Sequence, residues 1–448
     1  MRKSDKAGVS IIQGTVFQEK FPQKRKDMAA IFLALVFLLF LPRTPVFAQE
    51  EGRWGDDITI HLALIGPGDE LYFWWGHVAL VVEDASTGQA LFYDWGVFSF
   101  DNENFFLDFA FGRLIYTTVV SPALPNYQAY INTNRDIILF TLNLPAEKKE
   151  AIVLFAENNV LPENADYEYH HFFDNCSTRI RDIIDMALGG QFKARYGEAP
   201  GRFTLRQHVR RHTWFNPLAD WALNFWMGQG IDRPITVWEE MFLPSELAKR
   251  VYGFSFIDAD GSERPLVSAV EVIHRAAGRP AVLDTPRLQW PRQLFASLLF
   301  SGLLVLLYLL CGQQRRFRVL LGCIHSLSGL FFGLAGSMLF FLTFFTNHDY
   351  TFYNINVLFV NPLLLAAVPL GLNFAFTANG KKRAAAHRLL RLLWAYVFFG
   401  GLITIVIRIF PAFYQQNQVT QALLLPFALC MVFLMTRTGR KLSKSNGE

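Results

Sequence analysis

Apolar and polar positions fall into three regimes along the chain. Near the N-terminus one apolar run, Ala29 to Leu41, follows the basic cluster Lys24, Arg25 and Lys26 and precedes Val46-Phe47-Ala48. That order predicts a secretory signal in residues 1–48, cleaved after Ala48. Left uncleaved as an anchor, it exports the downstream chain all the same. Met28 is an alternative start. From 49 to 290 the apolar runs are short. Ile58 to Leu64 reads as a strand before the Gly66-Pro67-Gly68 turn, and His77–Val82 and Ala90–Asp94 form a hairpin about Ser86-Thr87-Gly88. Leu114–Val120 and Asp136–Leu144 are strand-like, and Glu147–Asn158 reads as helix. Strands and helices in this mixture predict an α+β domain.

The third regime is apolar throughout. Stretches near 293–311, 319–345, 357–376, 389–410 and 420–436 each approach the ~20 residues a helix needs to cross a bilayer. Their connections alternate in charge. Arg315, Arg316 and Arg318 fill the first, Lys381, Lys382, Arg383 and Arg388 the third, and Arg437, Arg440, Lys441 and Lys444 follow the last. The second and fourth connections, Thr346–Asn356 and Ala412–Thr420, contain no Lys or Arg. Positive segments stay in the cytoplasm, so residues 49–290 lie outside it, 291–436 form a five-helix bundle and 437–448 a cytoplasmic tail. The signal segment implies the same orientation.

Composition agrees. Of 448 residues 52% are hydrophobic, 44 are Phe and only 18% are charged, against roughly a quarter in soluble domains. The net charge of +4 reflects basic residues beside the spans, which removes a nucleic-acid partner. Within the spans His325 is the one ionisable residue well inside and Arg408 lies near an end, too few for an ion or proton path. A single histidine there reads as a helix–helix hydrogen bond.

Ile180, Ile183, Ile184, Ala187 and Leu188 recur on one helical face, with Asp174 or Asn175 as cap and Gly189-Gly190 as stop. Cys176 then occupies the first turn, where free N–H groups and the helix dipole favour a thiolate, with Arg179 and Arg181 nearby. Cys311, Cys323 and Cys430 lie in or beside spans, so Cys176 has no partner in the exported domain. An unpaired exported cysteine suggests a reactive one rather than a packed one. A thiol nucleophile needs a base. Among the exported histidines His77, in Trp75-Gly76-His77, is chosen; Asp94 on the neighbouring strand is the candidate to orient it, with Tyr93 and Asn175 behind. Asp94 also suits a strand-end turn. No metal-ligand spacing and no phosphate loop occurs, so no cofactor is expected.

A histidine at a strand start followed about a hundred positions later by an Asn-Cys helix start resembles the permuted papain-like (NlpC-type) enzymes. The pattern more closely resembles the integral-membrane lipoprotein N-acyltransferase of the Bacteroides type. Trp75-Gly76-His77, Tyr93-Asp94-Trp95-Gly96, Asp174-Asn175-Cys176-Ser177-Thr178-Arg179, Trp238-Glu239-Glu240-Met241-Phe242-Leu243-Pro244 and the Thr346-Asn347-His348 to Asn361-Pro362 stretch carry the likeness. It implies a periplasmic catalytic domain on an inner-membrane, multi-pass bundle. Cys176 would take an acyl chain from a phospholipid as a thioester and pass it to the α-amine of a diacylated lipoprotein, with His77 moving the protons. Asn175, Ser177 and Tyr93 are expected to support the site and the oxyanion. Arg179, His348, Asn354 and Asn356 are expected to meet substrate. A membrane-tethered thiol peptidase or amidase acting on cell-wall peptides, and a non-catalytic receptor or scaffold, are the competing readings. Trp214, Phe215, Trp221, Phe225, Trp226 and Met227 form an aromatic cluster suited either to the membrane interface or to a core.

Overall fold

The alternating apolar runs between 58 and 142 build an antiparallel sheet. A computed structural model describes residues 57–98 and 104–445, with side chains to 438. The signal segment and the side chains of Arg440, Lys441 and Lys444 lie outside the described residues. Strands β1 (Ile58–Ile65), β2 (His77–Asp84), β3 (Gln89–Val97), β4 (Ile115–Pro122), β5 (Ile137–Leu142), β6 (Asp166–Glu168) and β9 (Val267–His274) form one seven-stranded sheet in the order β6-β4-β3-β2-β1-β5-β9. Two short strands, β7 (Ser255–Ile257) and β8 (Glu263–Pro265), pair separately.

Period-two patterning gives the sheet two buried faces. Ile60, Leu62, Val78, Leu80, Tyr93 and Trp95 point to one, where helices Ala146–Asn159 and Cys176–Ala187 cover them. Ala63, Ala79, Val81 and Phe92 point to the other, under helix Ala123–Asn132. Residues 191–290 elaborate this domain rather than form another. Leu247, Ala248 and Val251 of helix Pro244–Tyr252 join its main core, and β9 extends its sheet beside β5.

Five helical segments long and apolar enough to cross a membrane come next: Trp290–Cys311, Arg315–Phe345, Ile355–Phe376, Gly380–Ile407 and Gln418–Thr438. The second and fourth begin earlier than the apolar pattern suggests, so Arg315, Arg316, Arg318 and Lys381–Arg388 are helical rather than loop. The second runs 31 residues, about 46 Å at 1.5 Å per residue, and its basic end extends past the ~30 Å apolar core. The third differs more. Only Ala367–Phe376 is α-helix, and the outer half consists of short 3₁₀ turns at Ile355–Leu358 and Pro362–Ala366. Pro362 interrupts the helical ladder. Asn361 satisfies exposed groups there, donating to the Val357 carbonyl (2.9 Å) and the Tyr396 hydroxyl (2.5 Å) and accepting from the Leu363 N–H (3.1 Å). Irregular backbone at this depth survives because it is packed in protein. A Cβ at Gly329 would meet Ala367 Cβ at 2.5 Å, and one at Gly336 would meet Asn361 backbone at 2.6 Å. These small residues let the second and third segments close on one another. His325 accepts from Trp394 Nε1 at 2.8 Å, the helix–helix hydrogen bond its isolation suggested.

Sheet domain and bundle join at helix Pro217–Trp226. Its aromatic residues pack against the bundle: Trp221 stacks on Phe331 with ring centroids 5.5 Å apart, and Trp226 Nε1 donates to the Ala335 carbonyl at 3.1 Å. The carbonyls at its C-terminal end have no helical donor. Arg206 serves those of Asn224 (2.6 Å), Met227 (3.0 Å) and Gly228 (2.7 Å) from the domain side. Asn354 serves those of Phe225 (2.8 Å), Trp226 (3.0 Å) and Met227 (3.2 Å) from the membrane side. Asn354 is 2% exposed. Asn354→Ala strands the Trp226 carbonyl and the Asn356 N–H and takes one donor from the carbonyls of Phe225 and Met227, so it should destabilise the full-length protein by about 1–3 kcal/mol. Thermal unfolding in nanodiscs measures this; an unchanged midpoint would remove the joint from the stability of the fold.

Candidate active site

Asn175 builds the cysteine helix start. Its Oδ1 accepts from the N–H groups of Ser177 (2.9 Å) and Thr178 (3.0 Å), and the Thr178 hydroxyl accepts from the Asn175 N–H (2.8 Å). This reciprocal cap meets donors that the first turn leaves free. Asn175 Nδ2 donates to the carbonyls of His171 (2.8 Å) and Phe242 (3.1 Å), tying the turn to the Trp238–Pro244 segment. The Ser177 hydroxyl donates to the Met241 carbonyl at 2.8 Å. Asn175 and Ser177 therefore hold the turn with their side chains. The Cys176 N–H has no acceptor among the described residues, and Cys176 is a free, buried thiol. Gly189 and Gly190, both at positive φ, end the chain's run through this helix.

His77 stands at the first position of β2, after Gly76 at φ +80°. A Cβ at Gly76 would lie 2.9 Å from the Ile65 carbonyl, so only glycine suits this approach. His77 Nε2 bonds Asp94 Oδ1 at 2.7 Å, with the side chains 17% and 14% exposed. Among the described residues Nδ1 is left without a hydrogen bond, and none joins His77 to the Cys176 sulfur. Burial opposes charge on this imidazole, but the Asp94 carboxylate, then the charges of Cys176 and Tyr130, outweigh it and hold its pKa well above the ordinary value of 6.5. Tyr130, on helix Ala123–Asn132, feels both His77 and Asp94. Tyr93 lies elsewhere. Strand alternation turns it away from Asp94 into the core under the cysteine helix, where burial and Glu157 push its phenol to about 12.

Arg179 makes a two-point bond to Asp174, at 2.6 and 2.8 Å, and its guanidinium lies 3.7 Å over the Tyr167 ring. His170, unassigned in the sequence, links the cysteine turn to the outer loop. Its Nδ1 accepts from the N–H groups of Phe172 and Phe173, both at 3.1 Å, and Nε2 therefore donates to Asp349 Oδ1 at 2.9 Å. His171, half-buried, is held down to about 4 by desolvation and by the neighbouring His170 and His348, and stays neutral. His348 donates from Nε2 to the Phe109 carbonyl (2.9 Å) and accepts the Tyr350 hydroxyl (2.9 Å). A cavity of about 420 Å³ opens between domain and loop, with Tyr169, His170, Phe173, His348, Asp349 and Tyr350 among its walls. His348 thus reaches a cavity beside the cysteine turn. Asn354 and Asn356 serve the joint instead: Asn356 donates to the Phe225 carbonyl (3.1 Å) and accepts from Asn417 (3.0 Å). Among the described residues no three His, Cys, Asp or Glu side chains converge as a metal-ligand set.

Residues 54–211 match the family model described as the Lnb N-terminal periplasmic domain. The matched stretch holds His77, Asp94 and Cys176. It makes the sheet domain similar to the periplasmic part of Lnb-type membrane proteins, and the five apolar helices that come after it suit such a chain. No curated protein and no solved structure matches.

The His77–Asp94 pair sets a pH dependence. A charged His77 stabilises the fold fully below its unfolded pKa, near 6.5, and that contribution fades as pH rises through the raised folded pKa. Asp94→Asn removes the main opposing charge and leaves burial dominant, so the imidazole becomes neutral at lower pH. Unfolding midpoints followed from about pH 6 to 9 should fall for the unsubstituted protein and stay nearly level for Asp94→Asn. Parallel curves would mean that Asp94 does not control His77.

Proposed function

We propose that the protein is an inner-membrane acyltransferase that moves an acyl chain from a phospholipid, through a thioester on Cys176, to the α-amino group of the diacylglyceryl-cysteine of a lipoprotein. The observation that carries this reading is the 2.7 Å bond between Asp94 Oδ1 and His77 Nε2, which leaves Nδ1 free to serve a thiol, together with the free Cys176 at a capped helix start.

His77 Nδ1 takes the proton of the Cys176 thiol, and the sulfur attacks the ester carbonyl carbon of the phospholipid. The C–O bond breaks, the departing oxygen takes the proton from His77, and a lysophospholipid leaves. The lipoprotein amine then attacks the thioester carbon. His77 accepts a proton from that nitrogen as the C–S bond breaks and returns it to the sulfur, releasing an amide and restoring the thiol. Splitting ester-to-amide transfer in this way lowers two barriers in place of one large one. The unpaired Cys176 N–H is the donor available to the oxyanion at each tetrahedral stage. Asp94 holds the ring's orientation and favours the imidazolium. Catalytic hydrogen bonds commonly tighten only in the reacting complex, consistent with an Nδ1 not yet bonded to sulfur.

Five apolar segments suit lipid substrates better than a wall hydrolase, for which one tether suffices. The His170–Asp349 bond and the adjoining cavity support substrates arriving at the outer membrane surface. The protein in phosphatidylethanolamine nanodiscs should gain one acyl mass on Cys176, read by intact-protein mass spectrometry, while a folded Cys176→Ala gains none and fails to restore lipoprotein N-acylation in cells. Full restoration by Cys176→Ala would overturn the assignment. Normal N-acylation with altered cell-wall peptides in cells lacking the protein would favour a peptidase.

A further inference from the structure

The helix Phe105–Phe111 has the sequence FFLDFAF, and none of its residues is buried. Phe106 is 69% exposed and Leu107 62%. A contiguous aromatic surface of this kind is costly in water and marks an interaction face. Its level is set by what holds it. The Phe111 carbonyl accepts the Asn347 N–H at 2.8 Å, the Phe109 carbonyl accepts His348 Nε2 at 2.9 Å, and the Phe111 and Phe341 rings lie 5.6 Å apart. These contacts pin the helix to the outer end of the second membrane segment. Phe344 and Phe345 at that end are 58% and 60% exposed, so the apolar surface of the bundle continues onto the helix. Arg113, just past its end, is a cation suited to phosphate at a lipid interface.

We propose that helix Phe105–Phe111 lies in the outer leaflet of the bilayer, with a phospholipid surface as its occupant, and that the aromatic row behind it is the route by which a phospholipid acyl ester reaches Cys176. The row is continuous. Phe106 contacts Phe105 at 5.6 Å between ring centroids, Phe105 stacks on Phe98 at 5.7 Å, Phe98 meets Tyr116 at 5.1 Å, and Tyr116 stacks on Tyr169 at 4.3 Å. Tyr169 is the end that reaches the cysteine helix, since it packs against the core cluster that contains Cys176. Gly96, at φ +86°, admits this ring; a Cβ there would stand 3.1 Å from Tyr169 Cε2. Aromatic walls suit an acyl chain, and the cavity beside Tyr169 and His348 leaves the polar headgroup in contact with polar side chains. The route rests on the acyl-transfer reading, whereas the immersion of the helix does not.

Two measurements on the full chain in phosphatidylethanolamine/phosphatidylglycerol nanodiscs separate these parts. With p-benzoylphenylalanine in place of Phe106, irradiation should add the mass of one phospholipid; adducts to protein alone, or none, would overturn the immersion. Phe106→Asp combined with Leu107→Asp should slow acylation of Cys176 from the bilayer by about tenfold or more while iodoacetamide still alkylates Cys176 at a rate within about twofold of the unsubstituted protein. Equal acylation rates would overturn the route. If the p-benzoylphenylalanine protein crosslinks lipid but the unsubstituted protein never gains an acyl group on Cys176, the immersion stands and the acyl-transfer reading falls.

Discussion

Carbonyl groups at the end of a buried helix need donors, and in this protein that requirement joins the sheet domain to the bundle. Arg206 reaches the end of helix Pro217–Trp226 from one side and Asn354 from the other, while Gln415 bonds both Met227 and Asn354. Arg206 is itself held by Asp232 at 2.8 Å, and both are buried. Such a network is strong only when complete, because each unmet polar group in a dry interior costs more than one bond contributes. This network fixes where helix Pro217–Trp226 sits against the bundle. Gly228 also donates to the Tyr350 carbonyl at 2.8 Å, beside the His348–Asp349 corner that reaches the cysteine turn.

A second constraint acts at the turn itself. Asn175 occupies both of its side-chain functions in shaping Asn175–Thr178, so the first helical turn is set by local bonds rather than by substrate. His170 bonds the Phe172 and Phe173 N–H groups just before that turn through one nitrogen and the outer loop through the other. Cys176 is consequently anchored to the domain core and the membrane loop together. His77 and Asp94 come from two antiparallel strands of a rigid sheet, which fixes their 2.7 Å contact. A shielded carboxylate beside a shielded imidazole is poorly screened, and this is why attraction overcomes burial at His77.

The bundle carries a different adaptation. Small residues on the second segment allow the broken third segment to lie against it, and the break delivers the Asn354–Asn361 stretch to the joint. Intramembrane polarity here serves attachment. Within the bundle the Trp394 N–H finds its acceptor in His325 Nδ1.

Local pattern was enough for much of this. Period-two runs located β1 to β5, the spacing of Ile180, Ile183 and Ile184 located the cysteine helix and its buried face, and the lengths of the apolar stretches located five membrane segments. The place of Cys176 in a capped first turn and the meeting of His77 with Asp94 across a hairpin were legible, the first from helical spacing and the second from strand pairing; their catalytic roles belong to the proposal. Pairing across long sequence distances was not legible. The addition of β9 to the sheet edge, the meeting of His170 with Asp349, the service of Asn354 and Asn356 to a helix end, and the turning of Tyr93 away from Asp94 depend on which surfaces meet and which pleat a residue occupies. Hydrogen-bonding capacity is written in the residue type, but its partner is chosen only when the chain is packed and every buried donor must find an acceptor.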